Sequence, residues 1–305
     1  MKGFDIPADK KVRVILTTDA KCEADDPFAV AYALMSPKLD VRGITAVHFS
    51  KKNILHVSED PARADSVYRS LDEIRTILDK MGLAGKIPVF CGAAGGLADE
   101  KTPVPSEAAD FIIREAHRAG PPLYIVNIGA LTDLASAYLL DPGIAEGIEA
   151  AVWLGGRKLP EGGVECNLEN DIAAANVLMD SDISLRLIPN SAGASMRVSF
   201  AELLVRVRPY GAIGEYLTAN TFAVSERVDW SSGESWVLWD MAAVAAVLDP
   251  HEHQYYVTNA PRIAPDMRYL PADRAHPIRV YERIEPRFAL EDFYCKLALH
   301  YGKQA

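Results

Sequence analysis

The stretch VRVILTTDAKCEADDPFAVAYALM, residues 12–35, decides how the rest of the chain is read. Its first part, Val12 to Thr18, is apolar and β-branched without polar alternation, the pattern of a strand covered on both faces as in a parallel sheet. A polar turn follows in which Asp19, Glu23, Asp25 and Asp26 crowd together. Pro27 then stands one residue into a new apolar run, where a helix tolerates it, and that run stops before Ser36-Pro37. Strand, acidic turn and helix in this order make the first half of a β-α-β unit.

The same rhythm continues outward. DVRGITAV (Asp40 to Val47), PVFCG (Pro88 to Gly92), LYIVNIG (Leu123 to Gly129), AAVWLGG (Ala150 to Gly156) and ISLRLIP (Ile183 to Pro189) each predict a buried strand. Amphipathic stretches separate them, one opening after Pro105-Ser106 with Glu107 in its first turn. Repeated β-α units imply an α/β fold with a mostly parallel central sheet flanked by helices. From about Ser199 the rhythm turns helical, interrupted by SERVDWSSGESW (Ser225 to Trp236), which reads either as a flap over a site or as a surface loop. The tail predicts a strand at Ile278 to Tyr281 and a closing helix. No repeat, linker or low-complexity tract marks a boundary, so residues 1–305 are expected to form one domain.

Composition narrows the function. With 49% hydrophobic and 24% charged residues the chain can bury a large core. Lys and Arg number 32 against 42 Asp and Glu, a net charge of -10 with no basic cluster, which argues against a nucleic-acid partner. No uncharged apolar run approaches the ~18 residues of a membrane span. Cys22, Cys91, Cys166 and Cys295 are scattered, with neither zinc-ligand spacing nor a disulfide framework. A soluble, cytoplasmic protein is expected.

Four constellations carry chemistry. Asp19, Glu23, Asp25 and Asp26 follow the first strand, where open parallel sheets bind ligands. Acids so close repel one another unless a cation or sugar hydroxyls compensate them, and an all-oxygen set suits a hard ion such as Ca²⁺ or Mg²⁺. The competing explanation has Asp25 and Asp26 capping the next helix. IGALTD (Ile128 to Asp133) is a turn whose Ile128 carbonyl is free to face a cation. In WLGGRKLPEGGVECNLEND (Trp153 to Asp171), Glu165 and Asn167 are spaced to hold neighbouring hydroxyls, or merely to cap a helix near Asp171. In WVLWDMAAVAAVLDPH (Trp236 to His251), Asp240 heads an apolar helix, and Trp236 and Trp239 offer either a stacking platform or core packing.

In this order the four motifs resemble the inosine-uridine nucleoside hydrolase family, whose D-x-D-x-G-x-D-D follows the first strand. Its G-x-L-T-N resembles Gly129 to Asp133, its strand-GG and E-F-N resemble Trp153 to Gly156 and Glu165 to Asn167, and its late H-D resembles Trp239-Asp240. The resemblance covers about residues 12 to 250. It implies a homo-oligomeric hydrolase with Ca²⁺ at the base of a ribose pocket, cleaving the N-glycosidic bond of a small-molecule nucleoside or related glycoside. Carried over by position, the metal ligands are Asp19, Asp26, the Ile128 carbonyl and Asp240, and the ribose hydroxyls meet Asp25, Glu165, Asn167 and Asp240. Water activated by the ion gives its proton to Asp19 and attacks C1′.

This chain departs from the pattern in several places. Thr17 replaces the first acid, and two extra residues separate Asp19 from Asp25-Asp26. The family's V-x-G-N after the second strand becomes VHFS, Val47 to Ser50, which introduces His48. An asparagine the family often uses after the paired glycines has no counterpart. Trp239 stands where the family has its histidine, so protonation of the leaving group falls to His48 or to solvent, and stacking on Trp239, Trp236 or Trp230 favours a purine. Loss of that histidine with retention of the acids also fits a catalytically silent nucleoside- or carbohydrate-binding protein, and a hydrolase of a modified glycoside is a third reading.

Overall fold

The computed structural model describes residues 4–50, 63–271 and 274–302. Its strands are β1 (Val12–Thr18), β2 (Leu39–Ala46), β3 (Val89–Cys91), β4 (Leu123–Ile128), β5 (Ala150–Leu154), β6 (Leu185–Ile188), β7 (Arg197–Ser199), β8 (Ser235–Val237), β9 (Gln254–Asn259), β10 (Arg262–Ile263), β11 (Tyr269–Leu270) and β12 (Pro277–Arg283). The helices are α1 (Asp26–Met35), α2 (Arg63–Lys80), α3 (Glu107–Ala116), α4 (Thr132–Leu140), α5 (Cys166–Asn170), α6 (Ile172–Met179), α7 (Asn190–Gly193), α8 (Phe200–Glu202), α9 (Gly211–Ser225), α10 (Met241–Leu248) and α11 (Pro286–Tyr301).

Eight strands form the central sheet in the order β3-β2-β1-β4-β5-β6-β12-β9. Every neighbouring pair is parallel except β12 with β9. The chain runs outward through β1, β2 and β3, then returns to the other side of β1 with β4. That reversal opens a crevice beyond the carboxyl ends of β1 and β4, the place where such sheets bind ligands.

The apolar runs show no polar alternation because both sheet faces are covered. Val14, Leu16, Val126, Val152 and Leu154 enter one core with Phe28 and Tyr32 of α1 and the alanines and valines of α10. Their neighbours Ile15, Ile125, Ala151 and Trp153 enter the other, against α3, α4 and α6. In β1–β4 pairing Thr18 lies opposite Ile128, which brings Asp19 beside Gly129. A Cβ at Gly129 would stand 2.9 Å from Asp19 Oδ1, so the strand-end glycine is demanded by the close approach of the acid.

Three features differ from the sequence expectation. The strand β3, expected to be buried, lies at the sheet edge with all three residues only half-buried. The segment Ser225 to Trp236 is not wholly irregular: α9 reaches its first residue, and its end enters β8, which pairs antiparallel with β7. The edge strand β9 was not expected. Four of its six residues are exposed, which leaves QYYVTN without the apolar run that marks a buried strand. The four cysteines are free thiols. Among the described residues no helix is long and apolar enough to cross a membrane.

Candidate active site

The crevice at the switch point holds a pocket of about 100 Å³ lined by Asp19, Cys22, Glu23, Asp25, Asp26, Ile128, Leu154, Glu165, Cys166, Asn167, Asn190, Trp239 and Asp240. Six of these are carboxylates and none is Lys, Arg or His. The loop from β1 delivers four of the six. It first turns, Cys22 N donating to Asp19 O at 2.7 Å, and Cys22 packs against Phe49. This turn accommodates the two extra residues and still presents Asp25 and Asp26 at the start of α1. Asp240 arrives from the start of α10, a helix that packs on α1.

Helix capping separates these acids into two kinds. Asp25 and Asp240 occupy the N-cap positions of α1 and α10, yet neither side chain makes a capping bond. Instead Asp240 N donates to Asp25 Oδ2 at 3.3 Å, and Thr18 Oγ1 donates to Asp26 Oδ1 at 2.5 Å. Oxygens of Asp25, Asp26 and Asp240 lie within 4.8 Å of one another, and all three residues are buried. Asp19 lines the same pocket outside this trio. Glu165 is of the other kind. It caps α5, accepting from Asn167 N at 3.1 Å and Leu168 N at 3.0 Å, and also from Gly156 N at 2.6 Å. A carboxylate offers about four lone-pair sites, so one remains for a ligand. Asn167 Nδ2 donates to Leu154 O at 3.0 Å, leaving its amide oxygen for a donor in the pocket.

Burial, reinforced by the neighbouring carboxylates, holds Asp19, Glu23 and Asp240 well above the usual carboxylate range. Burial and then the charge of Asp25 push Asp26 up to about 8. Buried like charges of this density require protons or a cation. The positive N-terminal ends of α1 and α10 offset only part of the repulsion. Three oxygen ligands in mutual reach, with no cation in the lining, fit a hard divalent ion.

These shifts predict an unusual pH dependence of stability. A native state that binds more protons than the unfolded chain loses stability as pH rises from the ordinary carboxylate value near 4 toward the Asp26 value of about 8. In chelator, the thermal midpoint is expected to fall from about pH 5 to about pH 8, and Ca²⁺ is expected to raise it most at the higher pH, where the carboxylates are free of protons. Asp26→Asn is expected to flatten both trends. Midpoints indifferent to pH and Ca²⁺ in both proteins contradict this assignment.

The pocket does not gather every residue singled out in the sequence. His48 is fully buried outside the lining, with Nε2 2.9 Å from Thr132 Oγ1, whose hydroxyl donates in turn to Asp171 Oδ2 at 2.6 Å. Trp236 is buried in the core, its ring 4.8 Å from that of Trp230. Trp239 does line the pocket, and its ring lies 6.2 Å from the exposed Trp230. Sequence reading missed Cys22, Leu154, Cys166 and Asn190 as lining residues. Leu154 and Asn190 sit at or just beyond the carboxyl ends of β5 and β6, so position alone was the available signal.

The chain belongs to the family of inosine-uridine preferring nucleoside hydrolases, whose model matches residues 14–280. Members of this family depend on a metal, and the acidic trio provides a matching cluster. An Arabidopsis thaliana protein named "Probable uridine nucleosidase 2" is 29% identical over 182 residues, 54% of this chain and 55% of that protein. The chain thus spans about half the length of that relative. A plant nucleoside hydrolase structure superposes with a TM-score of 0.76 at 19% identity, covering 95% of this chain and 99% of that one. A purine-preferring ribonucleoside hydrolase from Gardnerella vaginalis gives the same TM-score at 20% identity and the same coverage. At these identities the two structures establish the fold.

Proposed function

We propose that this protein is an N-ribohydrolase that cleaves the N-glycosidic bond of nucleosides, uses Ca²⁺ and favours purines. The observation that carries the reading is the trio Asp25, Asp26 and Asp240 at the switch point, two of whose members forgo capping their own helices. Asp25, Asp26 and Asp240 would hold the ion, and Asp19 and Ile128 line the same pocket. When bound, the ion supplies Lewis acidity that makes water a better nucleophile near neutral pH.

The protein's own groups do the rest. Asp19, made more basic by burial and its acidic neighbours, takes a proton from the attacking water. Asp25, Asp240, Glu165 and Asn167 accept hydrogen bonds from ribose hydroxyls. The negative charge of the three carboxylates stabilises the positive charge that builds on the sugar ring in an oxocarbenium-like transition state. Trp239 offers a face on which the departing base stacks. Neither Trp236 nor His48 enters this mechanism, and the base takes its proton from solvent at the pocket mouth.

The names of similar proteins point both ways, one to uridine and one to purines, so the leaving group is the property to measure. Stacking worth about 0.5–1.5 kcal/mol favours the larger ring by up to roughly tenfold. Inosine is expected to exceed uridine in kcat/KM by that order, and Trp239→Ala to erase most of the difference. A strong preference for uridine, unchanged in Trp239→Ala, overturns the purine assignment.

A further inference from the structure

Lys21 is the only cation in the acidic loop between β1 and α1, and it is held on a partner outside the pocket lining. Its Nζ donates to Glu73 Oε2 on α2 at 2.8 Å. The other oxygen of that carboxylate, Oε1, accepts from the hydroxyl of Tyr216 on α9. The Glu73 side chain is only 5% exposed and that of Lys21 30%. Three elements therefore meet at one buried carboxylate, and this arrangement lies outside the ribose and cation groups described above.

Lys21 is two residues from both Asp19 and Glu23 in the sequence. An ammonium on a flexible four-carbon stem is thus carried by the same loop as four of the pocket's carboxylates, whose lining contains no base of its own. Left unpaired, it would be drawn to those carboxylates and would compete with any external cation. Glu73 removes that competitor by pairing with it first. Tyr216 fixes the carboxylate through one oxygen, which leaves the other aimed at Lys21.

We propose that Glu73, oriented by Tyr216, is a positioning residue that holds Lys21 away from the acidic pocket, so that its carboxylates remain available to a divalent cation. The inference rests on the reading that this pocket binds such an ion. It differs from a simple brace between the loop and α2, because a brace fails equally when either end of the Lys21–Glu73 pair is removed.

Calorimetric titration with Ca²⁺ of the full chain, freed of metal by chelation, separates these possibilities. Glu73→Gln is expected to weaken Ca²⁺ binding about tenfold, and adding Lys21→Met to that variant to restore it to within about twofold of the wild type. Lys21→Met alone is expected to bind at least as tightly as the wild type. Tyr216→Phe, which keeps the carboxylate and so protects the fold, is expected to give a loss of about threefold that Lys21→Met again relieves. Unchanged affinity in Glu73→Gln and Tyr216→Phe overturns the proposal, as does a loss that Lys21→Met fails to relieve. A wild type that binds neither Ca²⁺ nor Mg²⁺ overturns the cation reading and this inference together, whereas a wild type that binds while its variants bind equally overturns the inference alone.

Discussion

Asp19→Asn is expected to lower kcat for nucleoside hydrolysis by about a thousandfold, the size of effect that follows loss of a general base. Asparagine keeps the shape that fits beside Gly129, where even a Cβ would come within 2.9 Å of Asp19 Oδ1, so the fold should tolerate the change. What it loses is a basic oxygen in a site where burial and the charges of Asp26, Asp25 and Glu23 all raise proton affinity. Because Asp19 stands outside the trio whose oxygens lie within 4.8 Å, cation affinity should fall much less than turnover. Single-turnover kinetics beside a Ca²⁺ titration checks both halves. Turnover within tenfold of the wild type removes Asp19 as the base.

Asp26→Ala should act through the other half of the site. It deletes one of three oxygen ligands and leaves the Thr18 hydroxyl, now 2.5 Å from the Asp26 carboxylate, without its acceptor. Cation affinity is expected to fall by more than the roughly 10–100-fold typical of changes in groups that only support the ligands. Nucleoside hydrolysis should be lost with it. Removal of one buried like charge relieves Asp25 and Asp240, so the variant should still fold, and its thermal midpoint in chelator at about pH 8 should equal or exceed that of the wild type. Unchanged Ca²⁺ affinity would show that the ion, if bound, sits elsewhere.

How much of this was legible in the sequence follows from what each signal depends on. The strands β1, β2, β4, β5 and β6 could be read because both faces are buried, so their apolar runs owe nothing to register. β9 escaped because most of its residues face solvent. The acids near the N-terminus and Asp240 were legible as candidates, but not whether they cap. That depends on whether a carboxylate turns back to its own helix: Glu165 does, taking two amides of α5, and Asp25 and Asp240 do not. His48 was placed correctly just past the end of β2, yet the direction of its ring depends on Thr132, eighty-four positions away in the chain. Trp236 and Trp239 looked equivalent. β8 sends the first into the core, whereas the second lies past the strand end and reaches the pocket. The hold of Glu73 on Lys21 joins residues fifty-two positions apart and leaves no local trace.

The central question is whether this acidic pocket cleaves nucleosides with the help of a bound cation. The most direct measurement is reducing-sugar release from a panel of purine and pyrimidine nucleosides by wild-type protein, first treated with chelator and then resupplied with Ca²⁺. Release that is lost on chelation and restored by Ca²⁺, with inosine ahead of uridine, is the predicted result. Tight nucleoside binding with no sugar released under either condition, or release indifferent to chelation, would contradict it.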